Sequence, residues 1–470
     1  MLSIDRKIFI LLILIAATIP IILLEKIILL IPLIFFLFLL YINYKPVVIV
    51  TTFVALISFT SGFGESERLL VQILSISLLM YAFLKRYGFD WEKYPKLPMK
   101  IIYLVSAIIF TIIFSLLFTE YLSLGLQQLI RSLLFFIIIY LYYSQITDDQ
   151  SVKYFIIALY VGALIYFSII SYEIVNADFD IIYLNQNLLL DDGLRFIHRN
   201  AIGGFFSICI SIAIAFLFYP DFHKERRLAL YASIIIFSLG LILTNSRAAI
   251  FSLLFGIGFI FFNQNKKVFY KFILSLSVLA IILIVSPLWE FANLYFRLER
   301  ISTGRDYILE TVYNILSSNP IVGFGPAATK LEMYNYLPYM FGTPQEFFLT
   351  RLINQIEFGH AHNFYLFLYT DLGLPGLIVS LFIPFTFFKL SKVLNKNLER
   401  KKDNNYYLVL GLTASGIALF IRGLFEWAGI FSYGTITYDL PFWWIFILLI
   451  YLYQTNLGNR KTEPRFLHNF

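Results

Sequence analysis

The sequence predicts an all-α polytopic integral membrane protein, with about 12–14 transmembrane helices and one large polar loop. Three observations predict it. Hydrophobic residues fill 60% of the 470 positions and charged residues only 14%, against about 25% charged in soluble domains; mean hydropathy is +0.80. The apolar residues fall into runs of bilayer-crossing length, roughly 17–25 residues. Aromatic residues are abundant, with 51 Phe and 32 Tyr, which suits lipid contact and interfacial belts. Residues 1–470 read as a single membrane domain, with no tandem repeat, low-complexity linker or soluble-domain boundary.

In chain order the runs place spans near 8–24, 27–43, 46–63, 68–84, 99–118, 124–144, 152–174 and 199–219. Six more follow near 228–244, 247–263, 268–288, 364–391, 405–424 and 437–453. The first run follows Arg6-Lys7 as a signal peptide would. It carries no Ala-x-Ala-like cleavage site and a second run follows at once, so it reads as a retained span. The first two runs are short, and a re-entrant pair there is the alternative that lowers the count. The single cysteine, Cys209, lies inside an apolar run, so no intrachain disulfide can form.

Orientation follows from the basic loops. Arg6-Lys7, Lys85 to Lys100, Lys224 to Arg227, Lys266-Lys267, Lys389 to Lys402 and the tail Arg460 to Arg465 all fall on one side, the cytoplasmic one, with both termini. The net charge of +7 is therefore a topology signal rather than a nucleic-acid one. Thr147-Asp148-Asp149 falls on the same side, but acidic residues count for little in this rule.

The opposite side receives Asn176 to Asn200, the Asn245-Ser246-Arg247 turn, Trp289 to Phe358 and Glu426 to Tyr438. Of these, Trp289 to Phe358 is long enough for helices of its own. Within it, residues 305–317 carry apolar positions at 308, 309, 312, 315 and 316, a helical stripe. Ser302 or Thr303 is available as N-cap and Asn319-Pro320 as stop.

Candidate chemistry gathers on that side. Arg247 opens an apolar run, where it either snorkels to the interface or, by its forked donors and permanent charge, holds an anion at a helix N-terminus. Arg305 is a solvated loop arginine or the second half of a diphosphate clamp with Arg247. Arg195 and Arg199 either anchor the eighth span or line the same anionic groove; His198 is left without a role. His360 and His362 are two apart, so on a helix they face different ways, and no Glu-x-x-His or Cys cluster lies nearby to complete a metal site. A general base at the boundary of membrane and water is the reading preferred for His362, beside Asn363. Gly323-Phe324-Gly325-Pro326 lacks the Lys-Ser/Thr of a phosphate loop and reads as a structural turn. Arg131, with Gln127 and Gln128, and Arg422, with Glu426 four residues on, lie near the outer ends of their spans. They are functional candidates, or for the latter two an ordinary helical ion pair.

At this point the chain resembles the O-antigen ligase and O-antigen polymerase superfamily of bacterial envelope-glycan enzymes. Three stretches within 243–377 carry the resemblance, in the expected order. They are Leu243-Thr244-Asn245-Ser246-Arg247-Ala248-Ala249, Gly304-Arg305 with the later Asn319-Pro320-Ile321-Val322-Gly323-Phe324-Gly325-Pro326, and His362-Asn363-Phe364-Tyr365-Leu366 followed by Leu372-Gly373-Leu374-Pro375-Gly376-Leu377. Arg199-Asn200-Ala201-Ile202-Gly203 is similar more loosely. Asn245 departs from the pattern, standing where a small residue such as Gly is common.

The resemblance implies a bacterial inner-membrane glycosyltransferase whose loop 289–361 is a periplasmic catalytic loop. It would transfer a glycan from undecaprenyl diphosphate, with inversion, to an acceptor hydroxyl on lipid A-core, on a second lipid-linked repeat or on another acceptor. It implies no metal or other cofactor, with Arg247 and Arg305 holding the diphosphate and His362 taking the acceptor proton. Arg195, Arg199, His360, Asn363, Arg131 and Arg422 are the expected substrate contacts. Ligase and polymerase share these motifs, and the ligase-type label is preferred on the Ser-Arg and His-Asn segments. A lipid-linked oligosaccharide flippase is the reading from a different class; it would place charges along a central cavity rather than at one face.

Overall fold

The computed structural model describes residues 65–176, 199–296, 305–337 and 361–457. The expected spans near 8–24, 27–43 and 46–63 lie outside the described residues, as do Arg195, His198, Ser302, Thr303, His360 and the basic tail. The described chain folds as α1 (Glu65–Tyr87), α2 (Met99–Leu116), α3 (Leu122–Ser144), α4 (Asp149–Asn176), α5 (Arg199–Leu217), α6 (Lys224–Leu243), α7 (Arg247–Gln264) and α8 (Lys266–Val285). It continues as α9 (Leu288–Phe296), α10 (Arg305–Ser318), α11 (Thr329–Glu332), α12 (Phe364–Leu398), α13 (Asn404–Arg422) and α14 (Ile436–Leu457). Short 3₁₀ turns occupy Trp91–Lys93 and Met333–Tyr336.

Among the described residues nine helices are long and apolar enough to cross a membrane: α2 to α8, α12 and α13. The protein is a polytopic, all-helical membrane protein. The helices α1 and α14, 23 and 22 residues long, coincide with the runs near 68–84 and 437–453.

The bundle is layered by burial. In the spans of α5 and α13, 72% and 78% of residues are buried, whereas none is in α8. The two inner helices pack on one another, with α6 and α7 against α5, α7 and α12 against α13, and α14 against α3, α12 and α13. Small residues set the close approaches. A Cβ on Gly411 of α13 would lie 2.9 Å from the Ile212 Cα of α5, and one on Gly256 of α7 would lie 2.8 Å from the Ala414 carbonyl oxygen. Such small-residue contacts are how apolar helices associate where no hydrophobic force separates protein from lipid. Cys209 sits in this core, fully buried on α5.

Helix alternation sorts the loops by end. One end carries Lys85-Arg86, Lys96, Lys224 to Arg227, Lys266-Lys267 and Lys396 to Lys402. There Tyr143 and Gln454 meet the 90s loop and Gln264 meets Tyr406. Asp148, at this end, accepts from the Ser151 amide at 2.7 Å and from its hydroxyl at 2.8 Å, so the acidic patch there is the start of α4. Those bonds, the amide first, hold its carboxyl below the ordinary carboxylate range. The other end carries the 245–247 turn, the 288–296 and 305–337 segments, the entry to α12 and the 423–435 loop.

Candidate functional site

The Ser-Arg turn is built by capping. Ser246 is the N-cap of α7, its hydroxyl accepting from the Ala249 amide at 3.3 Å, and Arg247 is the first helical residue, half-buried. Asn245 before it stands at φ 51° and donates from its amide to the Tyr295 carbonyl at 2.9 Å. The Tyr295 hydroxyl in turn reaches the Ile242 carbonyl at 3.0 Å. The nine-residue α9 thus latches onto the turn through Tyr295, while Trp289, Phe291 and Leu294 face outward. A side-chain amide is the function glycine could not supply at position 245.

The entry of α5 comes against this turn. A Cβ on Gly203 would lie 2.8 Å from the Ala249 Cβ and 2.9 Å from the Ser246 Cβ. Asn200, one turn earlier, accepts from the Ser246 hydroxyl at 2.6 Å and donates from its amide to the Glu426 carboxylate at 2.5 Å. The second Glu426 oxygen lies 3.8 Å from His362 Nδ1. Ser246, Asn200 and Glu426 are therefore hydrogen-bonded in series from the arginine-bearing turn, and the carboxylate faces the histidine across 3.8 Å. Glu426 is 1% exposed.

His362 is held by backbone on both sides. It stands at φ 46°, immediately before Asn363, the N-cap of α12, which accepts from the Tyr365 and Leu366 amides at 2.9 and 3.0 Å. The Phe364 amide donates to the Gly423 carbonyl at 2.7 Å. This ties the histidine turn to the end of α13, three residues before Glu426.

Three residues expected as substrate contacts bond the backbone of this end of the bundle. Asn363 caps α12 and donates to the Leu424 carbonyl at 3.0 Å. Arg422, 1% exposed, gives its fork to the Asn200 and Ala428 carbonyls. A Cβ on Gly204 would lie 2.9 Å from its guanidinium carbon. Arg131 donates to the Tyr433 and Ser432 carbonyls at 3.0 and 3.2 Å. All three donate to carbonyls of the 423–435 loop, which carries Glu426. Arg199 and Arg305 open α5 and α10.

The helical stripe of the polar loop forms as expected, Arg305–Ser318, with Ile308, Val312 and Ile315 buried and Leu309 turned outward. The turn after it docks on α12. Gly323 and Gly325 stand at φ 68° and 112°, and Gly373, at φ 66°, breaks α12 where they arrive. The Gly325 amide donates to the Asp371 carbonyl at 2.8 Å, and the Leu374 amide to the Pro320 carbonyl at 3.0 Å. Asp371, fully buried, accepts from the Ala327 and Thr329 amides at 3.0 and 3.1 Å and from the Tyr433 hydroxyl at 2.8 Å. Thr119 adds a 2.6 Å bond to the Phe324 carbonyl. Tyr121 donates to Glu332, which pushes the phenol up to about 12. So the two glycine-bearing segments of the polar loop and of α12 are halves of one joint, and Asp371 is its pin. Sequence inspection missed both Asp371 and the contact of Glu426 with His362. A carboxylate inside an apolar span was the available signal for Asp371.

No curated protein matches the chain. Residues 232–381, from within α6 to the first half of α12, match the family model described as O-antigen ligase. That interval contains the Ser-Arg turn, the polar loop and the His-Asn entry of α12, so this polytopic membrane chain carries a region similar to the O-antigen ligase family.

Proposed function

We propose that the protein transfers a glycan from undecaprenyl diphosphate to an acceptor hydroxyl at the end of the bundle opposite its basic loops, on the periplasmic face of a bacterial inner membrane. The observation that carries the reading is the hydrogen-bonded series Ser246–Asn200–Glu426, which runs from an arginine-bearing helix start to a carboxylate 3.8 Å from His362. An anion site and a base at one membrane boundary are what displacement of a diphosphate by an alcohol requires.

In this reaction the acceptor oxygen attacks the anomeric carbon as the bond from that carbon to the phosphate oxygen breaks. Undecaprenyl diphosphate leaves with the bonding pair, and the anomeric centre inverts. Arg247 and Arg305 hold the diphosphate and balance its growing charge; Arg199, and Arg195 before it, extend the same basic approach. His362 takes the acceptor proton, with His360 near it in sequence. The chemistry assigned to these side chains uses no metal. The Ser-Arg and His-Asn segments support the ligase-type acceptor, lipid A-core, over a second lipid-linked repeat.

The test uses the purified chain in detergent with a defined undecaprenyl-diphosphate glycan and a chelator. Lipid A-core and a second lipid-linked repeat are offered separately, and release of undecaprenyl diphosphate is followed. Arg305→Ala and His362→Ala are each expected to lower turnover by about 100-fold or more. Turnover on the lipid-linked repeat alone makes the protein a polymerase. Failure to release undecaprenyl diphosphate with either acceptor, together with movement of the donor across proteoliposomes, makes it a flippase.

A further inference from the structure

We infer that Glu426 is a positioning residue for His362, held in place by Asn200, and that the two make the histidine a base of fixed orientation. The inference rests on the proposed role of His362 and goes beyond it.

The geometry gives the orientation. Glu426 Oε2 faces His362 Nδ1 at 3.8 Å. That is wider than a hydrogen bond, as carboxylate–imidazole contacts often are before substrate closes a site. A carboxylate facing Nδ1 favours the tautomer with its proton there, leaving the lone pair on Nε2. The left-handed turn at His362 (φ 46°) and the cap at Asn363 fix where the ring can swing. A buried carboxylate without strong partners is costly. Asn200 supplies one at Oε1 at 2.5 Å, and its own carbonyl oxygen is fixed by Ser246 at 2.6 Å. The Arg422 fork holds the Asn200 backbone on the other side. The amide of Asn200 therefore decides which carboxylate oxygen is left for the histidine. Because Ser246 also caps the helix that Arg247 opens, movement of that turn is transmitted to the carboxylate behind the base.

A double-mutant cycle on the full chain, in the detergent assay above, tests this. Glu426→Gln keeps an oxygen for Asn200 and removes the charge facing His362. Turnover number is expected to fall roughly 10- to 100-fold, the usual cost of losing such an orienting partner. The KM for the undecaprenyl-diphosphate glycan is expected to stay within about twofold, because the diphosphate contacts lie elsewhere. Added to His362→Ala, Glu426→Gln is expected to change the residual rate by less than about twofold, since residues acting as one unit are not additive. Glu426→Asp, which keeps the carboxylate, is expected to recover part of the loss. Should Glu426→Gln fail to elute as a folded protein, Asn200→Ala in the same cycle carries the same expectation. Equal losses with and without His362 would show that Glu426 acts on the fold and would overturn the inference while leaving the base intact. Wild-type turnover in His362→Ala would instead remove the base, and this inference with it.

Discussion

Asn245 stands in the left-handed region, φ 51°, with its amide on the Tyr295 carbonyl. Asn visits that region more readily than other non-glycine residues, because its short polar side chain bonds locally. Asn245→Gly keeps the backbone comfortable and loses only the bond, a cost of about 1 kcal/mol. Asn245→Val loses the bond and adds roughly 1–2 kcal/mol of backbone strain. Thermal unfolding in detergent should rank wild type above Asn245→Gly and Asn245→Val lowest. A valine variant as stable as the glycine one would show that the turn is not held as described. The oddity of Asn245 was visible in the sequence, but its explanation was not, because Tyr295 is 50 residues away. Glu426 is a parallel case: sequence spacing pairs it with Arg422, four residues earlier, while its carboxylate meets Asn200, 226 residues away, and His362.

Among elements, α12 is the one on which the polar loop depends. Its break at Gly373 exposes backbone groups inside a span, and the 319–326 turn satisfies them from outside. Non-helical backbone at such a depth is tolerated only where protein covers it. A Cβ at Gly373 would press into the Ile321 carbonyl, and φ 66° disfavours it in any case. Gly373→Ala should therefore cost at least about 1–2 kcal/mol and make the 305–337 segment cleave faster under limited proteolysis. Asp371→Ala should be worse, leaving two backbone amides and a phenol without their acceptor at roughly 1–3 kcal/mol for each stranded group. Thermal shift and proteolysis check both. If either variant leaves the loop as protected as wild type, the joint is not what holds it. The cap at the start of α4 gives a smaller effect with a definite sign. Its carboxyl is depressed in the folded state, so the contribution of Asp148 is present at neutral pH and is lost as pH falls through the folded value.

For the molecule as a whole, length and hydropathy carried the architecture. The expected runs from 99–118 to 268–288, and that at 405–424, meet the observed helices to within about four residues, while α12 runs on to Leu398, past the expected end at 391. Such runs have one stable form in lipid, a helix that satisfies its own backbone. The short α9 was not legible: it falls almost wholly within the stretch read as the polar loop, and nine residues are too few to carry a clear helical period. Nor was the three-dimensional chain at His362, which needs the loops at one end to be folded together. Its segments come from four regions separated by whole spans, and nothing local in any of them specifies the others. The burial of Cys209 has a practical consequence. A chain whose one thiol is sealed in its core is already a silent background for maleimide chemistry. Cysteines introduced singly at Tyr334 and Lys401, exposed at opposite ends, would each be the sole reactive thiol, so an impermeant reagent applied to sealed vesicles would report which end faces out.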